Sequence, residues 1–333
     1  MRPLSGIRVV DFTLLLPGPL ATLLLAQAGA EVTRILPPAG DPMLAVGPFR
    51  DGISIPHAWL AAEKRTMTAD LNDPVDRARV QDQVRIADVV VEGFRPGVLH
   101  RFGLSYPDLV HERPDLIYCS ISGHGQAGDK AARADHDLTY MAQAGLLDAV
   151  TDGDGNPPLP PTLVADIGAG VLPAALNIVL ALQNRQRTGA GVHLDVSMTD
   201  NLAIFNLFAF AEAAAEGPSS PPNGRFYTGA SPRYAIYRCA DGRHLAVAAL
   251  EDRFWRNFLR TVGVEDDQDD ARLRTAITDA IAARPSTEWE TAFDGADACT
   301  AIVRRSSEIA KRSTLPLPLH PGWRQSDRKE DPQ

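Results

Sequence analysis

A histidine between two carboxylates is the clearest candidate for proton chemistry. Asp135-His136-Asp137 precedes a helical pattern that continues to Thr139 and Tyr140. Neighbouring carboxylates orient an imidazole and favour its protonated form, which suits a group that takes up and returns a proton. The alternative is structural, with Asp135 capping a helix and His136 in its first turn. The segment alone leaves both interpretations open.

A second candidate is Asp166, a carboxylate followed by small residues and a long helix predicted from Gly168 to about Arg187. Glycine lets a ligand approach the backbone closely, and the free N–H groups of a helix start stabilise negative charge. The amides of 168–170 are therefore a candidate site for an oxyanion or enolate. Alternatively, Asp166 simply caps the helix.

Glu251 lies between an apolar strand pattern and the start of a predicted helix, where an acidic residue complements the helix dipole. The other histidines are not spaced as metal ligands, and the sequence contains no GxSxG, HExxH or Walker motif. We therefore predict neither a metal site nor a serine triad.

Alternating strand and helix patterns must position these side chains. Helices are predicted at Leu20–Gln27 and Val75–Arg85 between buried strands. This alternation predicts a doubly wound α/β domain with parallel strands. The first turn lacks GxGxxG, so the fold alone does not imply a dinucleotide cofactor. The predicted strands are Ile7–Phe12, Glu31–Ile35, Asp88–Glu92, Leu116–Ile121 and His193–Met198.

The chain is predicted to divide at a Pro/Gly/Ser-rich segment. Residues 1–216 form the large domain, 217–224 the linker, and 225–310 a smaller α+β domain built on a hairpin and helices. The tail, 311–333, is Pro-rich and then polar, which predicts an extended or disordered segment.

Composition limits the possible functions. The 333 residues are 44% hydrophobic, which predicts about two packed domains. A formal net charge of −9 argues against nucleic-acid or anionic-membrane partners. Three distant cysteines and no signal-peptide layout favour a soluble, cytoplasmic protein. The longest apolar helical stretch, Val171–Leu182, is shorter than the roughly 20 residues that span a bilayer.

Short motifs follow one another along most of the chain. They are Leu4-Ser5-Gly6-Ile7, Pro17-Gly18-Pro19, Gly29-Ala30-Glu31-Val32, Glu92-Gly93-Phe94-Arg95-Pro96-Gly97, Arg101-Phe102-Gly103-Leu104, Ser122-Gly123-His124-Gly125, Arg187-Thr188-Gly189, Ala240-Asp241-Gly242-Arg243 and Asp297-Ala298-Cys299. No single motif is specific, but their order is. Motifs in this collinear order resemble the family III CoA-transferase superfamily, and within it the alpha-methylacyl-CoA racemases.

The resemblance implies a Rossmann-like large domain, a smaller domain and an interlocked homodimer, with the active site between the large domain of one chain and the small domain of the other. It also implies an acyl-CoA substrate and no further cofactor. In such racemases His136 and Asp166 would be the acid/base pair, Glu251 would support the histidine, and Asp137 would flank it. In the transferases Asp166 would be the nucleophile. The retained His136 favours a racemase; a CoA-transferase and an inactive CoA-binding relative are the alternatives.

The same resemblance implies which residues contact the acyl-CoA. The cations among them would suit the phosphates, although each is equally consistent with a solvated surface charge. Asp135 stands where the racemase segment has glycine, and the chain after Cys299 is shorter than in relatives. The implied contacts are Arg34, Lys64, Gly93, Phe94, Arg101, Asp135, Tyr140 and Gly168.

Overall fold

The computed structural model describes residues 2–309 and 318–320, so most of the predicted tail lies outside the described residues. Two compact units are present. Among the described residues, the first contains the chain up to Leu146, Pro160–Asn206 and residues 318–320, and the second contains Leu147–Leu159 and residues 207–309. The division therefore falls earlier than the Pro/Gly/Ser-rich segment, and residues 147–159 join the second unit.

The first unit is built on a parallel sheet. The strands are β1 (Arg8–Asp11), β2 (Glu31–Leu36), β3 (Phe49–Arg50), β4 (Ile53–Ser54), β5 (Arg65–Thr68), β6 (Val89–Glu92), β7 (Ile117–Ser122) and β8 (Val192–Ser197). In the described chain six of them pair in the order β5-β2-β1-β6-β7-β8, and the two short strands β3 and β4 form a separate antiparallel pair. This is the order of doubly wound nucleotide-binding sheets, in which ligands bind where the order reverses, here between β1 and β6.

Helices connect these strands, as the alternating pattern predicts. They are α1 (Pro17–Gln27), α2 (Ile55–Ala61), α3 (Pro74–Arg85), α4 (Tyr106–Leu109), α5 (Asp137–Gln143), α6 (Leu172–Thr188) and α7 (Met198–Asn201), with 3₁₀ turns at Pro42–Ala45, Leu99–Phe102 and Leu202–Asn206.

Both faces of the sheet are buried. Val10 and Val90 pack with Val84 of α3, and their chain neighbours Val9 and Val89 are also buried. Continuous burial of branched residues is typical of a parallel sheet. The edge strand β5 was not predicted, because its sequence, Arg-Thr-Met-Thr, has no apolar run.

The Pro-Gly-Pro segment forms the first turn of α1, although we expected it to precede the helix. Proline suits a first turn because the N–H it lacks has no intrahelical partner there. Gly18 is required by packing, since a Cβ at this position would lie 2.2 Å from the Thr13 side chain. The turn thus brings the start of α1 against the chain leaving β1.

The helix carrying Asp166 begins at Val164 rather than at the predicted Gly168. Val164–Val171 is π-helical and continues directly into α6. The combined helix has 25 residues and is long and apolar enough to cross a membrane, unlike the shorter stretch inferred from the sequence. Core helices of soluble proteins meet the same criterion, and α6 contacts β7 and β8.

The second unit contains the predicted hairpin. Strands β9 (Tyr234–Arg238) and β10 (His244–Ala248) pair antiparallel, and β11 (Thr300–Ile302) extends the sheet. Its core packs around Trp255, Phe258 and Trp289. The helices of this unit are α8 (Leu207–Ala214), α9 (Asp252–Val262), α10 (Asp270–Ala282), α11 (Ser286–Phe293) and α12 (Ser306–Ile309), with 3₁₀ turns at Leu147–Ala149 and Phe226–Thr228.

Candidate active site

A cavity of about 330 Å³ lies in the first unit at the carboxyl ends of β1, β6 and β7. This is where the strand order reverses and where doubly wound sheets bind ligands. His136 and Asp166 both line this cavity, so the structure brings the two predicted acid/base groups together. Other residues that line the cavity are Gly93, Phe94, Arg95, Ser122, Gly123, Arg133, Asp135 and Tyr140.

His136 is the capping residue of α5, a position that we had assigned to Asp135. The His136 amide donates to Thr139 Oγ1 at 2.9 Å, and the Thr139 amide donates to the His136 carbonyl at 2.9 Å. These bonds use the backbone of His136, and the residue is exposed. The imidazole is therefore held at the helix start without being used by the cap.

Asp137 connects the two predicted catalytic segments. Its side chain is buried, and its Oδ1 accepts a hydrogen bond of 2.9 Å from the Asp166 amide. Burial, together with the nearby Asp137 carboxylate, raises the pKa of Asp166 to about 6, although His136 opposes the shift. Asp166 is thus poised to exchange a proton near neutral pH.

Asp135 orients His124 rather than His136. Its carboxylate lies 2.8 Å from His124 Nε2 and 2.7 Å from Arg133 Nε. The hydrogen bond with His124 is the main reason that the pKa of Asp135 is lowered. The sequence suggested an imidazole held by both neighbouring carboxylates, but the Asp135 charge is engaged elsewhere.

Tyr140 forms a wall of the cavity. Its hydroxyl donates to the Asp135 carbonyl at 2.8 Å, and its ring occupies the space beside Gly123. A Cβ at Gly123 would lie 2.5 Å from Tyr140 Cε1, which explains the glycine. The Tyr140 side chain therefore fixes the chain leaving β7 against α5.

The prediction that residues 168–170 offer free N–H groups at a helix start is wrong. These residues lie inside the helix that begins at Val164, not at its free end. A Cβ at Gly168 would meet Phe205 Cζ at 2.7 Å, so close packing accounts for this glycine. Sequence reasoning missed Ser122, which lines the cavity and whose buried Oγ has no hydrogen-bond partner among the described residues.

The side chains of Arg34 and Lys64 are both buried beside carboxylates, so neither is a solvated surface charge, and their role as phosphate contacts stays a prediction. Arg34 is fully buried, and its Nη2 lies 2.7 Å from Asp41 Oδ2. Lys64 Nζ donates to the Pro19 carbonyl at 2.6 Å and lies 3.6 Å from Asp11 Oδ2. Burial lowers the pKa of Lys64 to about 8. Both cations compensate buried carboxylates beneath α1.

Lys64→Ala is expected to lower the free energy of unfolding by about 3 kcal/mol, because it leaves Asp11 with one fewer buried cation. Urea unfolding of the variant measures this loss. Lys130→Ala, at an exposed position, is the matched control and should change stability little. Unchanged stability combined with weaker CoA binding would instead identify Lys64 as a phosphate ligand.

Gly93 and Phe94 line the main cavity, as expected, and Phe94 also borders a smaller cavity of about 180 Å³. Arg101 is exposed, with its guanidinium 5.6 Å from the centre of the Phe102 ring. Arg95 lines the main cavity but was not singled out from the sequence, although it belongs to the motif that marked its neighbours. Arg95 and Arg101 are thus accessible cations on the loop after β6.

Glu251 lies in the second unit, directly before α9. It is exposed, and its side chain makes no capping hydrogen bond to the helix. Its predicted role beside His136 therefore stays a prediction.

Comparison with known proteins agrees with the motifs. The family model of CoA-transferase family III matches residues 4–316. The chain belongs to CoA-transferase family III. This family III protein is 32% identical over 314 residues to alpha-methylacyl-CoA racemase from Homo sapiens, covering 92% of this chain and 79% of the racemase. It is 31% identical over 302 residues to acetyl-CoA:oxalate CoA-transferase from Acetobacter aceti, covering 86% and 77%.

A solved structure shares the fold of this family III protein. A CAIB/BAIF family protein from Brucella suis superposes with a TM-score of 0.81 at 28% identity, covering 92% of this chain and 85% of that one. The similarity confirms the family resemblance and the mixed α/β architecture. It does not separate racemases from transferases.

Asp166→Asn is expected to stabilise this family III protein in a pH-dependent way. A pKa raised from 3.8 to about 6 means that ionised Asp166 opposes folding. This penalty on folding is absent below about pH 4 and grows as the pH rises from about 4 to 6. Above the folded-state pKa it reaches at most about 3 kcal/mol, for a shift of roughly two pH units. Urea unfolding at pH 5 and pH 8 should show the larger gain at pH 8. Equal gains at both values would contradict the raised pKa.

Proposed function

We propose that this protein is a racemase or epimerase of 2-methylacyl-CoA thioesters, transferring the α-proton between His136 and Asp166. The observation that carries the proposal is that an imidazole and a carboxyl group with a raised pKa line one cavity. Inversion at carbon needs one group to remove a proton and another to return one on the opposite face. The two side chains supply such a pair.

The reaction follows from the chemistry of the thioester, which acidifies its α-hydrogen. In one direction neutral His136 removes the proton, and protonated Asp166 delivers another to the opposite face of the enolate; in the other direction the roles exchange. Ser122 is the proposed donor to the enolate oxygen, because it lines the cavity and its hydroxyl has no hydrogen-bond partner among the described residues.

The loop after β6 is the proposed CoA-binding element. Phe94 and Phe102 border the smaller cavity, whose apolar walls suit a flat purine ring. Arg95 and Arg101 are exposed cations of the kind that bind phosphates. Such local cations are needed because the chain as a whole carries a net charge of −9.

We also propose a homodimer in which Glu251 of one chain supports His136 of the other. An apolar stripe on α6 suits such an association, since Leu172, Leu176 and Leu180 are between 46% and 59% exposed. Light scattering coupled to size-exclusion chromatography should give twice the 35.9 kDa mass of the chain. A fully active monomer would contradict the proposed homodimer.

A CoA-transferase is the second candidate, because transferase relatives are nearly as similar as racemases. Asp166 would then attack the thioester carbonyl and expel CoA as a thiolate, forming a mixed anhydride. The thiolate would attack this anhydride to give an enzyme thioester and release the acid. His136 would be incidental.

Incubation with each enantiomer of a 2-methylacyl-CoA in deuterated water tests the proposal. We expect deuterium at the α-carbon together with loss of configuration. Transfer of CoA to an added carboxylic acid without α-exchange would favour the transferase. Binding of CoA with neither reaction would identify an inactive relative.

A further inference from the structure

A buried carboxylate lies beneath the proposed CoA-binding loop. Glu92 is the last residue of β6 and is 5% exposed. Its Oε2 accepts a hydrogen bond of 2.8 Å from the amide of Phe94. Phe94 borders both the main cavity and the smaller cavity of about 180 Å³. Glu92 thus fixes the backbone of residues 93–95 from below.

Glu92 is connected through Ser120 of β7 to His193 of β8. Ser120 hydrogen-bonds to Glu92, and its Oγ lies 2.9 Å from His193 Nε2. The His193 ring stacks on Tyr106 with 5.0 Å between ring centres. These groups border a separate cavity of about 410 Å³, and Arg95 borders both this cavity and the main one. A proton can therefore reach the cluster formed by Glu92, Ser120 and His193 through this separate cavity rather than through the main one.

A second carboxylate holds the adjacent loop in the same way. Asp195 Oδ2 accepts a hydrogen bond of 2.9 Å from the Gln126 amide. Gly125 has a φ of +79°, and a Cβ there would approach Asp195 Oδ2 to 3.3 Å. The loops after β6 and β7 are thus each tied to a carboxylate below them.

We propose that Glu92 is a positioning residue whose carboxylate holds residues 93–95 in place for the CoA thioester, and that protonation of Glu92 loosens this loop. The inference rests on the proposed function only in taking CoA as the ligand of the loop. Glu92 does not border the main cavity and acts through the Phe94 amide. It is therefore not a member of the acid/base pair.

Electrostatics place this proton uptake near neutrality. Burial, with a smaller contribution from the Asp195 carboxylate, raises the pKa of Glu92 to about 7, although the hydrogen bonds from Ser120 and Phe94 oppose the shift. The other titratable or charged groups around the cluster are Tyr118, Cys119, His193, Arg95, His100 and Tyr106.

The proton changes the direction of the hydrogen bonds. When Glu92 is ionised, Ser120 donates to it and accepts from the Nε2–H of His193. When Glu92 is neutral, its O–H donates to Ser120, which donates in turn to Nε2 of the other His193 tautomer. A neutral acceptor holds the Phe94 amide about half as strongly as a charged one. Acidification thus weakens the anchor of the loop.

Calorimetric binding of CoA to the full chain between pH 5.5 and 8.5 tests the inference. In Glu92→Gln residue 92 cannot titrate, so the pH dependence of CoA binding to this variant reports the titration of CoA itself. After division by the change in Glu92→Gln, we expect the wild-type Kd for CoA to rise about fivefold on acidification. Ser120→Ala removes a donor to the carboxylate, so the midpoint should move to higher pH. Glu31→Gln, at an exposed position on β2, should behave as wild type.

Identical pH dependence in wild type and Glu92→Gln, or an unmoved midpoint in Ser120→Ala, overturns the inference. If wild type binds no CoA at any pH, the proposed function fails instead. Amide hydrogen exchange then decides the inference without a ligand. We expect residues 93–95 to exchange faster in Glu92→Ala and, after correction for intrinsic rates, in acidified wild type. Unchanged protection in both overturns it.

Discussion

Asp166→Asn is expected to lower kcat for racemisation of 2-methylacyl-CoA by about 10³-fold, within the usual range for loss of a general acid–base group. An amide has nearly the shape of the carboxyl group but neither accepts nor delivers the proton. Asp137 bonds to the backbone amide of residue 166, so the substitution leaves that contact in place. KM should change little. Chiral chromatography of the acyl-CoA after timed incubation measures the rate.

The control for this variant is Asp279→Asn, an identical change on the exposed face of α10. It should retain wild-type racemisation. Because Asp166→Asn is expected to be more stable than wild type at pH 8, its lost activity cannot come from unfolding. Retention of more than a tenth of the wild-type rate would contradict the role of Asp166.

His136→Ala is expected to lower racemisation by about 10³-fold as well. The fold should persist, because the cap of α5 uses the backbone of residue 136 and the side chain of Thr139. His111→Ala, at an exposed loop position, is the matched control and should leave the rate unchanged.

The same variant separates the two candidate functions. A transferase that uses Asp166 as nucleophile has no need of His136 and would keep its rate of CoA transfer. A racemase loses its reaction with either residue. Loss of racemisation in both variants, without transfer in wild type, is the expected pattern. Full activity of His136→Ala would remove the acid/base pair.

The order of elements in the first unit could be predicted from the sequence, because branched apolar runs alternate with helical patterns. The strands at Glu31 and Val89 begin within one residue of their predicted starts. Polar edge strands could not be predicted, since they lack an apolar face. The start of the helix at Val164 was also missed, because Asp166 and the following glycines resembled a capping residue and a helix start rather than the interior of a π-helical segment.

The sequence predicted which residues line the candidate site more fully than it predicted their contacts. His136 and Asp166 line one cavity, but local sequence could not show that Asp137 bonds to the Asp166 amide from a different element. Nor could it show that Lys64 faces a buried carboxylate. Charge type suggests a phosphate ligand, whereas only the packing of α1 over Asp11 shows that the cation is enclosed.

Stereospecific exchange in the two variants tests the central claim most directly. Each variant is incubated separately with the (2R) and (2S) thioesters in deuterated water, and α-deuterium is measured by mass spectrometry. If His136 and Asp166 act on opposite faces of the α-carbon, each variant exchanges one enantiomer with retention, and the two variants favour opposite enantiomers. Exchange of the same enantiomer by both variants, or wild-type racemisation by either, would contradict the account.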